Sequence, residues 1–185
     1  MNTTSRILGE AMTPRQKRIY KDPIIASKWA IKHGQRFPEA EPYIATDPGR
    51  AYLYARNVIG GRWPEGEAAI AMSPTWAYPY ARNVIGGRWP EGEAAIAKSP
   101  NDAYSYAKEV LKGRWPEAER PEAEAAIATS SWWGYRYARD VIGGRFPEGE
   151  PAIATEPRLA KLYLKQFPEA KLEWAMNGWI DWLDL

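Results

Sequence analysis

Pairs of glutamates spaced two residues apart recur along this chain, and paired carboxylates can perform general acid–base chemistry or bind a metal ion. They occur as Glu65/Glu67, Glu91/Glu93, Glu117/Glu119 and Glu148/Glu150. An active site needs one pair in one special environment, whereas four equivalent pairs beside prolines indicate a repeated role at helix N-termini. His33 is the only histidine and cysteine is absent. We therefore predict no catalysis, no metal site and no cofactor.

Cationic residues form two series with the same spacing. One series precedes an aromatic residue (Arg62, Arg88, Arg114, Arg145), and the other follows a Tyr-Ala pair (Arg56, Arg82, Lys108, Arg139). The favoured interpretation is a set of ion pairs between repeats that fixes their stacking. The alternative is a nucleic-acid-binding surface, in which arginines hold phosphates and aromatic rings stack on bases. The net charge of +2 favours the first interpretation.

Aromatic residues are abundant, with 10 tryptophans and 11 tyrosines. Trp63, Trp89 and Trp115 are predicted to be wedged between units. Helical spacing predicts burial of one tyrosine series (Tyr54, Tyr80, Tyr106, Tyr137) and exposure of the other (Tyr52, Tyr78, Tyr104, Tyr135). Exposed tyrosines beside arginines are typical of protein-binding hot spots. Trp76, Trp132 and Trp133 interrupt the repeat, so they rank first as partner-binding candidates.

A repeated sequence segment accounts for the regular spacing of these side chains. The segment ARNVIGGRWPEGEAAIA occurs unchanged at 55–71 and 81–97. An aromatic-Pro-Glu triplet begins at residues 37, 63, 89, 115, 146 and 167, so its spacings are 26, 26, 26, 31 and 21. PEAERPEAEAAIA (116–128) contains a five-residue insertion, and residues 118–123 are predicted to bulge from one surface. The sequence therefore predicts an array with degenerate end units.

Each unit is predicted to contain two short helices. Ser73-Pro74 is typical of a helix start, and Asp47-Pro48, Ser99-Pro100 and Glu156-Pro157 repeat this signal with Glu as a weaker cap. Gly-Gly pairs end the first helix, and the aromatic-Pro-Glu triplet begins the second. Pro42, Pro79 and Pro151 fall inside these helices, so the helices either begin later or kink.

The predicted fold class is all-α, a short α-solenoid of helix-pair repeats of about 26 residues with degenerate capping units. We divide the chain into a basic N-terminal segment or cap (1–20), the repeat array (21–170) and a C-terminal helix (171–185). In that last segment Leu172, Met176, Trp179 and Leu183 have helical spacing, with Trp174 and Trp182 nearby. This helix is predicted to cap the array, with partner binding or self-association as the alternative.

YARDVIGGRFPEGEPAIA (137–154) and SPTWAYPYARNVIGGRWPE (73–91) resemble tandem repeats in proteins of tailed bacteriophages and bacteria. The resemblance covers roughly residues 21–170. It implies a non-enzymatic phage protein in the infected bacterial cell that binds, as inhibitor or adaptor, a protein of the host or of its defence system.

The composition of the chain also gives an expectation about its location in the cell. No apolar run approaches the 18–20 residues or so that a membrane-spanning helix needs. The first residues lack the apolar stretch and cleavage site of a secretory signal, and a chain without cysteine fits a reducing cytoplasm. We therefore expect a cytoplasmic protein without a membrane partner.

Overall fold

The computed structural model describes residues 20–116 and 121–179, and every regular element within them is helical. The predicted all-α fold class is therefore confirmed. The α-helices are α1 (Pro23–His33), α2 (Glu41–Ile44), α3 (Pro48–Tyr54), α4 (Pro64–Ala71), α5 (Ala77–Tyr80), α6 (Pro90–Ile96), α7 (Pro100–Tyr106), α8 (Pro121–Ala128), α9 (Ser131–Tyr137), α10 (Glu150–Ala154), α11 (Pro157–Gln166) and α12 (Lys171–Met176). Short 3-10 turns at Pro147–Gly149 and Pro168–Ala170 precede α10 and α12.

Four of the first helices of these pairs continue into a wider, π-helical turn. These turns are π1 (Ala55–Ile59), π2 (Ala81–Ile85), π3 (Ala107–Leu111) and π4 (Ala138–Ile142). We call each first helix, together with the second helix that follows it, a unit, so that α1 and α2 form unit 1 and α11 and α12 form unit 6. Within units 1 to 5 the two helices pack against each other, and successive π-helical turns contact one another.

Three of the four predicted start signals, those at Asp47, Ser99 and Glu156, are followed directly by a first helix. The side chains of Asp22, Asp47, Ser99 and Ser130 each accept a hydrogen bond from a backbone N–H of the first turn. Glu156 makes no such bond, in agreement with its weaker capping tendency. The cap predicted at Ser73 is wrong, because α5 begins only at Ala77 and has no side-chain cap.

The prolines inside the predicted helices are accommodated by later helix starts. Pro79 is the third residue of α5, while Pro42 and Pro151 are the second residues of α2 and α10. Backbone N–H groups in the first turn have no partner within the helix, so proline loses no hydrogen bond there. The first of the two alternatives, later starts rather than kinks, is confirmed.

The π-helical turns arise from the length of the segment between the helix cap and the aromatic residue that precedes the second helix. From cap to aromatic residue, unit 1 runs 15 residues (Asp22 to Phe37), whereas unit 2 runs 16 (Asp47 to Trp63). Unit 1 has a regular α-helix. In unit 2 the extra residue widens the last turn, and the N–H of Gly60 donates to the carbonyl of Ala55, at 2.8 Å.

Glycines in the second helices make room for the aromatic rings. A Cβ atom on Gly66 would lie 2.5 Å from the ring of Trp63, and one on Gly92 would lie 2.3 Å from that of Trp89. Both distances are far below van der Waals contact. The indole rings therefore lie on the first turn of α4 and α6, and both tryptophans are buried, as is Trp115. The prediction that these three tryptophans lie in the core is confirmed.

The five-residue insertion lies before α8. Arg114 binds Glu124, and α8 begins at Pro121. Glu122/Glu124 thus occupy the place of Glu91/Glu93, so the assignment of this role to Glu117/Glu119 was wrong. Of the segment 118–123 that was expected to bulge, 121–123 belong to α8, and 118–120 lie outside the described residues.

The C-terminal helix α12 packs on α11 through Trp174, which is not one of the four residues chosen from helical spacing. Trp174 is buried, and its ring stacks on that of Tyr163 with centroids 5.3 Å apart. Met176 is 71% exposed. Trp182 and Leu183, like residues 1–19 of the N-terminal segment, lie outside the described residues. None of the described helices is both long and apolar enough to span a membrane.

Lys112→Gly should raise the free energy of unfolding by about 1 kcal/mol. Lys112 ends π3 with a φ of 55°, where the three equivalent positions have glycine at similar angles. Urea unfolding measures the change. Gly113→Ala is the control, because Gly113 has no positive φ and open space around it. A Lys112→Gly protein no more stable than the parent would contradict the backbone strain assigned to this residue.

Candidate functional site

A tyrosine of each unit is hydrogen-bonded to the unit before it. The hydroxyl of Tyr80 accepts from the backbone N–H of Trp63, at 2.9 Å, and donates to the carboxylate of Glu67, at 2.8 Å. The same pair of bonds recurs with Tyr54, Tyr106, Tyr137 and Tyr163. We call this arrangement the tyrosine bridge. The burial predicted for Tyr54, Tyr80, Tyr106 and Tyr137 is confirmed.

The glutamate of each bridge is also held by an arginine of its own unit. Arg62 donates to both oxygens of Glu67, at 2.8 and 2.7 Å. Arg36, Arg88, Arg114 and Arg145 bind Glu41, Glu93, Glu124 and Glu150 in the same two-pronged way. Such charge-assisted pairs fix the orientation of the carboxylate. The expected ion pairs therefore exist in this series, but five of them lie within units, and only Arg145 also binds a glutamate of the next unit, Glu173 at 2.7 Å, among the described residues. The tyrosine makes the link that recurs from unit to unit.

The bridge shifts the pKa values of its members in opposite directions. Hydrogen bonds from Arg62 lower the pKa of Glu67, and the bond from Tyr80 adds to this effect against the opposing contribution of burial. Burial, together with the bond to Glu41, raises the pKa of Tyr54 to about 12. At neutral pH the glutamate is therefore charged and the tyrosine neutral, as the bonding pattern requires.

Two of the four members of the second cation series pair with the following unit. Arg82 binds Glu109 at 2.8 Å, and Lys108 binds Asp140 at 3.1 Å. Arg139 also binds Asp140, at 2.6 Å, whereas Arg56 donates to the hydroxyl of Tyr52. Six of the seven arginines considered for nucleic-acid binding thus donate to carboxylates (Arg62, Arg82, Arg88, Arg114, Arg139, Arg145).

The second tyrosine series does not form an exposed stripe, so that expectation was wrong. Tyr52, Tyr104 and Tyr135 are only 4%, 3% and 6% exposed, and Tyr78 is half-buried. Three of their hydroxyl groups are hydrogen-bonded to residues of the following unit. The hydroxyl of Tyr52 accepts a hydrogen bond from Asn83, and those of Tyr78 and Tyr104 donate hydrogen bonds to Glu109 and Asp140. The following unit therefore covers these tyrosines, which spacing within one helix could not indicate.

Two of the three irregular tryptophans turn out to be equivalent. Trp76 and Trp133 each lie three residues after the start signal of their unit, and each packs on a tyrosine of the preceding unit. Their ring centroids lie 5.4 Å from Tyr52 and 5.2 Å from Tyr104. The interpretation that neither has a counterpart was wrong. Trp132 differs from both, because half of its surface is exposed.

Arg136 lies among three aromatic rings, a feature that the sequence reasoning missed. Its guanidinium carbon is 5.1 Å from the ring centroid of Tyr104, 5.8 Å from that of Trp132 and 5.9 Å from that of Trp133. These are cation–π distances. The position is held by Leu53, Pro79 and Ser105 in units 2 to 4. An arginine at a position where units 2 to 4 have uncharged residues was the available signal.

The remaining candidates for chemistry are isolated. His33 is exposed, stacks on Trp29 at 4.4 Å and lies 2.8 Å from that residue's carbonyl oxygen. Within residues 20–116 and 121–179 no group of three acidic, histidine or cysteine residues is arranged to hold a metal ion. Glu67, Glu93, Glu124 and Glu150 are each bound in a tyrosine bridge, so these repeated carboxylates have a structural role.

No protein-family model, no curated protein and no solved structure matches this chain.

Tyr80→Phe should lower the free energy of unfolding by about 2 kcal/mol. The substitution keeps the buried ring but leaves the N–H of Trp63 and one contact of Glu67 without their partner. Urea unfolding monitored by circular dichroism measures the loss. Tyr43→Phe is the matched control, because the ring of Tyr43 contacts Lys21 and its hydroxyl belongs to no bridge. Equal stability of the two variants would contradict the role of the bridge.

Stability should fall as the pH drops below about 4.5, the ordinary pKa of glutamate. The pKa values of Glu41, Glu67 and Glu150 are lowered in the folded chain, so the unfolded chain binds protons first. The stabilisation is complete above this pH and is lost as the pH falls through the folded-state pKa values. Urea midpoints from pH 6 to pH 3 or so measure it.

Glu67→Gln should make this pH dependence shallower, whereas Glu65→Gln should leave it unchanged, since Glu65 is exposed and outside the bridge. The same slope in all three proteins would be inconsistent with the proton linkage assigned to Glu67.

Proposed function

We propose that this chain is a non-enzymatic helical repeat protein, an α-solenoid of helix-pair units of about 26 residues, that binds a protein of a bacterial host or of its defence system. The observation that carries the binding proposal is the half-exposed indole of Trp132, held beside Arg136 on the outer side of α9. In keeping with the phage resemblance, we place the protein in the cytoplasm of the infected cell as an inhibitor or adaptor.

The tyrosine bridges support the solenoid. Each bridge joins one unit to the next, and both ends of the series are altered. In unit 1 Trp29, which has no hydroxyl, stands at the position of Tyr54. In unit 6 the N–H of Phe167, which would donate to a further tyrosine, donates to the carbonyl of Tyr163 instead. Terminal units that do not offer a bridge are what a capped array requires.

The surroundings of Trp132 support a protein partner. Tryptophan, tyrosine and arginine are the residues most enriched in binding hot spots. Trp132 makes an edge contact with Trp133, with centroids 6.5 Å apart, and Arg136 bonds Asp140 at 3.4 Å. The indole is therefore positioned before a partner arrives, which lowers the entropic cost of binding.

The ion pairs count against nucleic acid as the partner. A phosphate would have to compete with a carboxylate for six of the seven candidate arginines. Burial of Tyr52, Tyr104 and Tyr135 also removes the row of exposed rings on which successive bases would stack. Catalysis is likewise disfavoured, because the repeated carboxylates are bound in bridges.

Affinity capture from bacterial lysate, with and without nuclease, tests the proposal. We expect one bacterial protein in near-equimolar amount that survives nuclease treatment. Trp132→Ala should reduce its recovery about tenfold without changing the unfolding midpoint, because the ring is half-exposed. Met72→Ala is the matched control, since Met72 is 81% exposed in another part of the array. Recovery of nucleic acid alone, or loss of all proteins after nuclease treatment, would overturn the proposal.

A further inference from the structure

Helix α11 presents a row of cations to solvent. Arg158, Lys161 and Lys165 are all exposed and lie on one side of the helix, at positions i, i+3 and i+7. No acidic residue occurs within Pro157–Gln166. Within the described part of the chain these three cations form no ion pair. They differ in this respect from the arginines of the tyrosine bridges, whose charges are balanced.

Exposed apolar residues accompany these cations. Leu162 is 42% exposed and lies between Lys161 and Lys165 on the helix. Helices α9 and α11 are in contact, and Leu162 stands 26 residues after Arg136, at the equivalent position of the repeat. Trp132 and Arg158 are related in the same way. Because these positions are equivalent on two helices in contact, we take Trp132, Arg136, Arg158, Lys161, Leu162 and Lys165 together and call them the α9–α11 face.

Contact with water stabilises the exposed cations of this face, but it is unfavourable for the exposed apolar residues. Leaving a leucine and a tryptophan in water forgoes about 25 cal/mol for each Å² of apolar surface that could be buried. An occupant that neutralises three free cations and covers two apolar side chains must itself carry carboxylates and apolar side chains. We infer that the α9–α11 face docks an acidic protein segment whose carboxylates flank apolar residues.

Other classes of partner fit this face less well. A single nucleic-acid strand needs successive exposed rings, but Tyr135 on α9 is buried, and its equivalent on α11 is Lys161. An anionic membrane would require a free apolar helix face, yet Leu159, Tyr163 and Leu164 are buried in the core. The inference rests on the proposed function and names the chemistry of the partner at this face.

Fluorescence anisotropy with the full chain tests the inference. The probe is a short labelled peptide of glutamate, aspartate, leucine and tryptophan, compared with a peptide in which lysine replaces the acids. Oligothymidylate and phosphatidylserine vesicles are the other probes. We expect the acidic peptide to bind and the lysine peptide not to bind. The combined change Arg158→Glu, Lys161→Glu, Lys165→Glu should weaken binding at least about tenfold, because like charges then oppose each other.

The matched control reverses three exposed cations elsewhere, with Lys28→Glu, Lys32→Glu and Lys98→Glu, and so changes the net charge equally. We expect it to change the affinity by less than about twofold. Equal weakening by both triple variants would overturn the inference, since net charge alone would then explain binding. Failure of the acidic peptide to bind would also overturn it, as would preferential binding of oligothymidylate or vesicles.

The inference and the proposed function can fail separately. The triple variant Arg158→Glu, Lys161→Glu, Lys165→Glu separates the two. If it captured the same bacterial protein as the parent chain, the α9–α11 face would be the wrong surface, while the proposed function would stand. If no bacterial protein were captured although the acidic peptide bound at α11, the proposed function would fail and the docking chemistry would stand.

Discussion

The hydrogen bond between a tyrosine hydroxyl and the backbone of the preceding unit is the interaction on which the arrangement of the helices depends. In units 1 to 5 the aromatic residue before the proline has no helical partner for its N–H, and the hydroxyl of the next unit's tyrosine accepts it inside the core. The same hydroxyl donates to a glutamate that an arginine has already oriented. In every bridge the tyrosine follows its glutamate by 13 residues, even where five residues have been inserted before α8. This constant separation explains why the amino-acid sequence around each bridge varies so little.

Much of this fold follows from local chemistry that a sequence displays. Cap residues before proline, glycine pairs and the aromatic-Pro-Glu triplet predicted paired helices and their approximate bounds. Burial of Tyr54 followed from periodicity, and that of Trp63 from its place between a glycine pair and a proline. The π-helical turns were missed, although their signal was present: Asp47 to Trp63 is one residue longer than Asp22 to Phe37. The place of the insertion was missed although its signal was present too, because AAIA follows Glu124 as it follows Glu67 and Glu93. The contact of Arg114 with Glu124 agrees with that signal.

Expectations about the surface failed for a different reason. Spacing within one helix shows which residues share a side, but not what the next unit places over that side. Tyr104 was expected to be exposed, yet Asp140 and Trp133 of the following unit cover it. The cations of α11 are the converse case, because no described residue forms an ion pair with them. Candidate binding residues in such an arrangement are therefore found by comparing what each unit leaves uncovered.

The central claim is that tyrosine bridges join the units, and amide hydrogen exchange of the parent chain tests it most directly. The diagnostic groups are the backbone N–H groups that donate to the bridges, those of Phe37, Trp63, Trp89, Trp115 and Phe146. Residues before a proline at a helix start have no helical bond to slow their exchange. The account predicts that these five N–H groups exchange as slowly as the interior of the helices, because opening them requires separating two units. Exchange as fast as that of solvent-exposed N–H groups without a hydrogen bond would contradict it.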